Sequence, residues 1–445
     1  MKLQIPSKVS FILDSLEVAG FEAYAVGGCV RDALLGREPE DWDITTSAKP
    51  EQVKSVFRRT IDTGIKHGTV TVMIDKEGFE VTTYRIDGEY EDGRHPKEVS
   101  FTSNLEEDLK RRDFTINAMA YNDKSGIVDL FGGQEDLKRK VIRCVGCANE
   151  RFEEDALRML RAVRFSGQLG FEIENETKAA IKELSLNLKK VSWERIQTEL
   201  TKLLISPHPE HMLTAYETGL TAQFIPEFDA IMKQEQRNPY HCYTVGMHTV
   251  RMIEQIPATK ILRLTALLHD VGKPLTHSFH ADGTDHFENH AEISAKQAKK
   301  ILIRLRFDND TINAVTKLIS YHDYHFRRDK KIIRRAMSLV GKDLFIPLME
   351  VMRADTLAKS EYTRQERLDD IQAICKLHEE ILNDNECVCL KDLAVNGNDL
   401  IEYGIRPGKQ LGVILQLMLD EVLENPKLNR QDLLLERLPD FVNRE

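Results

Sequence analysis

Long apolar runs are absent from this chain. No stretch of its 445 residues approaches the roughly 20 consecutive apolar residues of a membrane-spanning helix, which excludes a membrane partner. The N-terminal MKLQIPSKVSFILDSL reads as an amphipathic helix without a signal peptide's apolar stretch and cleavage site, so the expected location is the cytoplasm. Cysteine is sparse, odd in number and scattered: seven residues that do not make a disulfide framework. Cys144-Val-Gly-Cys147 lacks a second C-x-x-C at finger spacing and Cys387-Val-Cys389 is too short, so neither builds a zinc site and reduced thiols are expected. Positive charge is also in deficit, with 62 Lys and Arg against 72 Asp and Glu and a net charge of −10. Contacts to nucleic-acid phosphates must then come from local clusters, of which Arg111-Arg112, Lys138-Arg139-Lys140, Lys189-Lys190 and the run from Arg327 to Arg335 are candidates. Repeats and low-complexity segments are missing.

What is present is a soluble, globular composition, 41% hydrophobic and 30% charged, on a chain long enough for two to four domains. Residues from about 20 to 140 alternate short β-rich runs (HGTVTVMID, GFEVTTYRI, SGIVDLFGG) with helices. After about 150 the pattern is helical, with no strands expected. A histidine-rich block from 240 to 360 stands apart from a helical tail. The fold class is α+β, a small α/β head on a long helical body.

The densest chemistry lies in Gly27 to Asp43, GGCVRDALLGREPEDWD. Gly27 and Gly28 lack Cβ atoms and let backbone approach a triphosphate, and the helix that follows turns its N–H groups and Arg31 towards the anion. Asp41 and Asp43, at i and i+2 of a strand, share a face and can jointly hold hard divalent cations while Trp42 turns into a core. Two Mg2+ ions are the expected occupants. Glu80, in GFEVTTYR, is either a third carboxylate of this site or a solvated strand acid. Downstream, RRDFTINA opens a predicted helix on which Asp113 and Asn117 share a face at i, i+4, with Arg112 placed to meet a phosphate or ribose.

In Glu154-Asp155-Ala156-Leu157-Arg158 the spacing predicts Asp155 and Arg158 side by side on a helix. A carboxylate accepts from the exocyclic amine of cytosine or adenine and a guanidinium donates to the neighbouring ring nitrogen, whereas uracil and guanine present the opposite pattern. An ordinary surface ion pair is the competing reading. Arg158, Arg161 and Arg164 extend it as a basic ladder suited to triphosphate and RNA.

Taken in order, GGCVRDALLGREPEDWD, RRDFTINAMA, EEDALRMLRAVRFSGQLGF and Trp193-Glu194-Arg195-Ile196 resemble the class II tRNA nucleotidyltransferases (CCA-adding enzymes) and bacterial poly(A) polymerases. The resemblance implies a polymerase-β-like nucleotidyltransferase head with a mixed β-sheet at 1–140. A helical neck that selects the nucleotide follows at 141–230, a helical body at 231–360 and a tail with tRNA contacts at 361–445. It implies CTP and ATP as substrates and addition to the acceptor end of tRNA, with Arg112, Asp113 and Asn117 at the sugar and triphosphate, Asp155 and Arg158 as a protein template, and Trp193 to Ile196 buttressing them. It further implies that Arg85-Ile-Asp-Gly-Glu-Tyr-Glu-Asp-Gly-Arg94-His-Pro96 is the flexible segment of the switch from C to A addition. Asp129-Leu-Phe-Gly132-Gly133 would be the hinge between head and neck, and the glycines of LAVNGNDLIEYGIRPGKQLG would separate short helices that grip the tRNA elbow.

The histidine-rich block carries a second constellation: His248, His269-Asp270, His290, His322 and Asp355, with the string HDVGKP. Their order resembles HD-type phosphohydrolases, implying a transition metal (Ni, Mn, Co, Fe or Zn) and phosphohydrolase activity beside CCA addition. Tyr243-Thr244-Val245 departs from the Tyr-Asp-Val common in that group. The alternatives are an A-adding-only enzyme or poly(A) polymerase, and an HD phosphohydrolase with a nucleotide-sensing head.

Overall fold

The computed structural model describes residues 2–88, 99–281 and 283–442. The chain forms two compact units, Met1–Pro226 and Glu227–Glu445. Most of the segment read as the C-to-A switch, Arg85 to Pro96, lies outside the described residues.

The first unit begins with α1 (Ser7–Val18), which buries Val9, Ile12, Leu13 and Leu16 at helical spacing. Then come β1 (Ala23–Val26), α2 (Gly28–Leu34), β2 (Ile44–Thr46), α3 (Pro50–Val56), β3 (Thr60–Gly64), β4 (Thr69–Ile74), β5 (Glu77–Thr83), β6 (Arg85–Asp87), β7 (Val99–Phe101), α4 (Leu105–Lys110), β8 (Met119–Asn122), β9 (Gly126–Asp129) and α5 (Gly133–Arg139). Seven strands make one mixed sheet in the order β3-β4-β5-β2-β1-β8-β9. β2 and β5 run parallel, with Ile44 beside Val81, while the other neighbours are antiparallel. Val9, Ile12, Leu16, Ile44, Val53, Val70, Val72 and Val81 form the core on one face, and Trp42 and Phe79 pack against it. Alternation along each strand sends the polar partners of these residues to the opposite face. A smaller cluster, Val26, Tyr84, Leu105, Leu109 and Ala120, seats α4.

The unit continues with α6 (Ala148–Glu154), α7 (Leu157–Leu169), α8 (Asn175–Leu184) and α9 (Trp193–Leu204). Asp129 is the N-terminal anchor of α5, accepting the Gly133 and Gln134 N–H groups at 2.8 Å each. A Cβ on Gly133 would lie 2.3 Å from the Thr115 carbonyl. The expected hinge is thus a capped, tightly packed turn.

The second unit is mainly helical, and its tail includes helices at Gly397–Glu402 and Lys409–Glu424. Gly412 lies inside the latter helix, so it does not separate two helices as expected. Strands do occur after residue 150: β11 (Glu172–Ile173) pairs with the earlier β10 (Val141–Ile142), and β12 (His277–Phe279) pairs with β13 (Asp285–Phe287). The last two escape a periodicity reading because three residues are too few to show alternation. Asp285 holds this hairpin, accepting from Arg237 N–H at 2.6 Å and pairing with His277 Nε2 at 2.7 Å. The basic run from Arg327 to Arg335 is largely tied up within the unit. Arg334 is buried against Glu386 at 2.7 Å and donates to the Leu423 carbonyl at 2.8 Å, while Lys330 pairs with Glu380 and Asp384 at 3.0 and 3.1 Å. Among the described residues no helix is long and apolar enough to cross a membrane.

Candidate active site

Asp41 and Asp43 stand immediately before β2, which begins at Ile44. The strand expected to contain them is shorter than the pattern implied, yet the ladder reaches further, since the Asp43 carbonyl accepts the Val26 N–H at 3.0 Å. Alternation survives: Trp42 packs on the core while Asp41 and Asp43 are exposed. Desolvation raises the Asp43 carboxyl above its ordinary range, Arg112 opposes the rise and the Asp41 charge adds to it. A carboxyl that resists ionisation for want of solvent is one that a divalent cation would favour in its charged form. Glu80 is exposed and lies one residue before the Val81 that pairs with Ile44, so the parallel register sets it beside Asp43.

Gly27 has φ +83°, in the region where only glycine is relaxed, and a Cβ there would stand 2.8 Å from Arg112 Nη1. Its immediate service is room for that guanidinium. Arg31 is buried, with Nε and Nη2 on Asp32 at 2.9 and 2.8 Å and Nη1 donating to Asn117 Oδ1 at 2.6 Å. Next to it, Gly28 opens α2.

RRDFTINA does not open a helix. Arg111 ends α4, and a single 3-10 turn at Thr115–Asn117 leads into β8. The predicted partnership persists by another route, with Asn117 Nδ2 donating to Asp113 Oδ1 at 3.2 Å. Arg161 reaches Asp113 Oδ2 through Nε at 2.9 Å and Nη2 at 2.6 Å. Burial alone would raise the Asp113 carboxyl, but the Arg161 guanidinium holds it down to about 2.

Asp155 and Arg158 are not neighbours on one helix. Asp155 precedes α7 and its Oδ1 accepts the Leu157 N–H at 3.1 Å, so it acts as a cap. Arg195 of α9 grips it with Nη1 on Oδ1 at 3.2 Å and Nη2 on Oδ2 at 2.6 Å, consistent with the expected buttress. Arg158 pairs with Glu154 at 2.5 Å and donates to the carbonyls of Arg151 and Arg111 at 3.2 and 3.1 Å. The basic ladder is likewise compensated from behind. Glu199, 5% exposed, binds Arg164 Nε at 2.5 Å and lies 3.8 Å from Arg161 Nη1. Arg31, Arg161 and Arg164 gather around the Phe165 ring, their guanidinium carbons 5.1, 5.5 and 3.7 Å from its centroid.

Asp108, Glu199 and the pairing role of Glu154 escaped the sequence reading. The spacing signalled two of them, since Asp108 is four residues before Arg112 and Glu154 four before Arg158, whereas Glu199 meets arginines on another helix and had no local signal.

A mixed sheet carrying an Asp-x-Asp pair beside a glycine-started helix, followed by helices with a capping Asp and an arginine row, defines a nucleotidyltransferase. Residues 23–143 match the poly A polymerase head domain, and residues 286–438 match the tRNA nucleotidyltransferase domain 2. A CCA-adding enzyme of Lactiplantibacillus plantarum is 36% identical over 427 residues, covering 96% of this chain and 94% of that one. That of Lactobacillus helveticus is 54% identical over 217 residues, 49% of this chain and 54% of its own. The crystal structure of the Bacillus stearothermophilus CCA-adding enzyme in complex with CTP superposes with a TM-score of 0.72 at 29% identity, covering 99% and 98% of the two chains. The chain belongs to the CCA-adding enzyme family.

The histidine block converges on Asp270 in the second unit. His248 Nε2 lies 3.0 Å from Asp355 Oδ1 and 3.9 Å from Asp270 Oδ2, and His269 Nε2 lies 3.1 Å from the same Oδ2. On the other side, His290 and His322 place Nε2 3.6 and 3.8 Å from Asp270 Oδ1. Each imidazole is oriented from behind, its Nδ1 against the backbone carbonyl of Ala358, Ala266, Phe287 or Ile319 at 2.7 to 3.3 Å. A carbonyl can only accept, so each ring is held through Nδ1 and turns its Nε2 towards the carboxylates. Burial lowers the His322 pKa to about 4, leaving it neutral. Lys273 and Lys359, which the sequence reading did not name, meet Asp270 Oδ2 at 2.7 Å and Asp355 Oδ2 at 2.5 Å. Thr244 caps the helix Val245–Gln255 by accepting the Met247 N–H at 3.3 Å. The departure from Tyr-Asp-Val therefore falls on a capping position that Thr and Asp both suit.

Proposed function

We propose that this chain is a template-independent enzyme that adds and repairs the 3′-terminal CCA of tRNA, taking CTP and ATP and releasing pyrophosphate. The observation that carries the reading is Asp155, held by Arg195 and the Leu157 N–H so that its acceptor edge is defined before any nucleotide binds. Asp155 accepts the base amine and Arg158 donates to the adjacent ring nitrogen, which admits C and A and refuses U and G. Arg112, over Gly27, and Arg31 supply positive charge at the triphosphate. Asp41 and Asp43, with Glu80 beside them, are an all-oxygen donor set that suits Mg2+; bound there, the ions would acidify the RNA 3′-hydroxyl and stabilise departing pyrophosphate. In this reading 1–140 is the head, 141–230 the neck, 231–360 the body and 361–445 the tail at the tRNA elbow, and the enzyme works in the cytoplasm with its thiols reduced. A transcript lacking its last three nucleotides, incubated with Mg2+ and single or paired nucleotides, tests it. Sequential gain of C, C and A supports the reading, addition of A alone makes the chain an A-adder, and no addition refutes it.

A second activity is favoured by one atom. Asp270 Oδ1 is buried and has no hydrogen-bond partner among the described residues, flanked by imidazole nitrogens at 3.6 and 3.8 Å. Such an orphan costs about 1–3 kcal/mol unless something fills the gap. A transition metal fits the imidazole and carboxylate donors of His248, His269, Asp270, His290, His322 and Asp355. It would supply an activated water, and the reading assigns hydrolysis of 2′,3′-cyclic or terminal phosphates. The site opens on a cavity of about 770 Å³ into which Lys273, Lys359 and Arg367 bring positive charge. Elemental analysis of the purified protein, then cyclic-phosphate assays with Ni, Mn and Co, decides it.

A further inference from the structure

Asp108 is wholly buried, yet it lies within the reach of four different parts of the head. Its Oδ2 accepts the Thr45 hydroxyl at 3.0 Å, and its Oδ1 accepts Arg111 Nε and Nη2 at 3.0 and 2.8 Å. The Arg85 N–H approaches Oδ1 at 3.4 Å. Arg112 is held more loosely, with Nη2 3.7 Å from Oδ2. The carboxyl stays ionised below its ordinary range: burial opposes this, but Arg111 and Arg112 outweigh it.

Thr45 follows Asp43 by two residues, so the two side chains leave β2 on the same side. Asp108 therefore ties the strand that carries the catalytic carboxylates to the arginine that overhangs Gly27. The state of that arginine is informative. Arg112 is largely desolvated, its Nε is buried with no hydrogen-bond partner, and its Nη1 fills the space that a Gly27 Cβ would take. A guanidinium taken out of water, with Asp108 at 3.7 Å and the charges of Asp43 and Asp113 acting from further off, lacks a close ion pair that a triphosphate would supply. A full ion pair with Asp108 would neutralise it; no counter-charge at all would leave it free to swing towards Asp43.

We propose that Asp108 is a positioning residue for nucleotide addition, setting Arg112 over Gly27 in register with Asp41 and Asp43 so that it receives the triphosphate of CTP and ATP alike. The inference rests on the CCA-adding reading above. Because Asp108 acts on the phosphate end, it governs affinity for the triphosphate and not the choice of base.

The test compares wild type, Asp108→Asn, Thr45→Val and Thr45→Ser in steady-state addition, with inorganic pyrophosphate as a base-free inhibitor. Asp108→Asn should raise KM for CTP and ATP by about tenfold each and weaken pyrophosphate inhibition by a similar factor, while the preference for CTP over UTP stays unchanged. Thr45→Val, which removes only the hydroxyl donor and retains the β-branched shape, should shift the same quantities in the same direction by a smaller factor, and Thr45→Ser should restore them. A lowered Tm with KM and pyrophosphate inhibition at wild-type values in both Asp108→Asn and Thr45→Val would make Asp108 a structural carboxylate and overturn the proposal. A loss of base preference in Asp108→Asn would overturn it as well. Should wild type itself add nothing, the CCA-adding reading fails instead, and pyrophosphate binding by the four proteins, followed by calorimetry, still decides whether Asp108 sets the phosphate site.

Discussion

Replacing Asp155 by Asn should loosen base selection far more than it loosens the fold. Asn is as good a helix cap as Asp, so the bond from the Leu157 N–H at 3.1 Å survives on the amide oxygen. That choice is forced, because Arg195 Nη1 also donates to this Oδ1 position. The amide NH2 must then occupy the Oδ2 position, where Arg195 Nη2 now stands at 2.6 Å as a second donor. One half of the bidentate pair becomes repulsive. With side chains 15% and 21% exposed the pair is partly screened, and its loss should cost about 1 kcal/mol of stability, or a few degrees of Tm for a unit of this size. The nucleotide feels something different: a side chain at 155 that offered only acceptors now offers a donor, which opposes the amine of C or A and welcomes the carbonyl of U. A mismatched buried polar contact costs about 1–3 kcal/mol, so kcat/KM for CTP should fall roughly 5- to 150-fold relative to UTP. Single-nucleotide incorporation on a transcript awaiting its first C, with each triphosphate in turn, measures the ratio. A folded Asp155→Asn protein whose CTP to UTP ratio stays within twofold of wild type would show that this carboxylate does not read the base.

Asp41→Ala and Asp43→Ala should each abolish nucleotide addition and leave Tm unchanged, because both residues are exposed at a strand end, and circular dichroism with incorporation assays separates the two effects. Asp113, depressed from 3.8 to about 2 chiefly by Arg161, contributes about 2 kcal/mol that is present above pH 4 and lost as pH falls through 2. Denaturant titrations across that window should show a slope that disappears in Asp113→Asn. His269→Ala should remove bound metal and any phosphoesterase activity yet spare CCA addition, since Asp41 and Asp43 belong to the other compact unit, and loss of addition in a folded variant would contradict the separation.

The head was legible in the sequence because its chemistry is local. Gly27, Gly28, Asp41 and Asp43 fall within 17 residues and their placement follows from chain geometry alone. Trp42 landed on the core and the two aspartates opposite it even though β2 proved shorter than its pattern, since alternation needs only an extended backbone. RRDFTINA misled because i, i+4 spacing also serves a tight turn, which closes Asp113 onto Asn117 without a helix. Asp155 and Arg158 misled for the opposite reason. Their spacing was right for a helix, but Asp155 sits just outside it, a place where a carboxylate can cap the backbone and leave its other edge for a distant arginine. The partner, Arg195, is 40 residues away, and no periodicity reaches that far. The histidine block read well as a set because HDVGKP marks it, whereas Lys273 and Lys359 were overlooked although each stands one helical turn from the carboxylate it meets.

The pairing of Asp155 with Arg195 and of Arg161 and Arg164 with Glu199 bears on how such an enzyme can diverge. In the proposed reading the face that meets the nucleotide and the helix that braces it are bonded as one unit, so a change at 155 or 164 should be tolerated best when 195 or 199 changes in step. Altered selectivity should accordingly surface in genetic screens at positions that never touch a base. A laboratory effort to redirect the enzyme towards U or G would need α9 in its library, because a new reading edge set against the old brace would inherit an orientation meant for C and A.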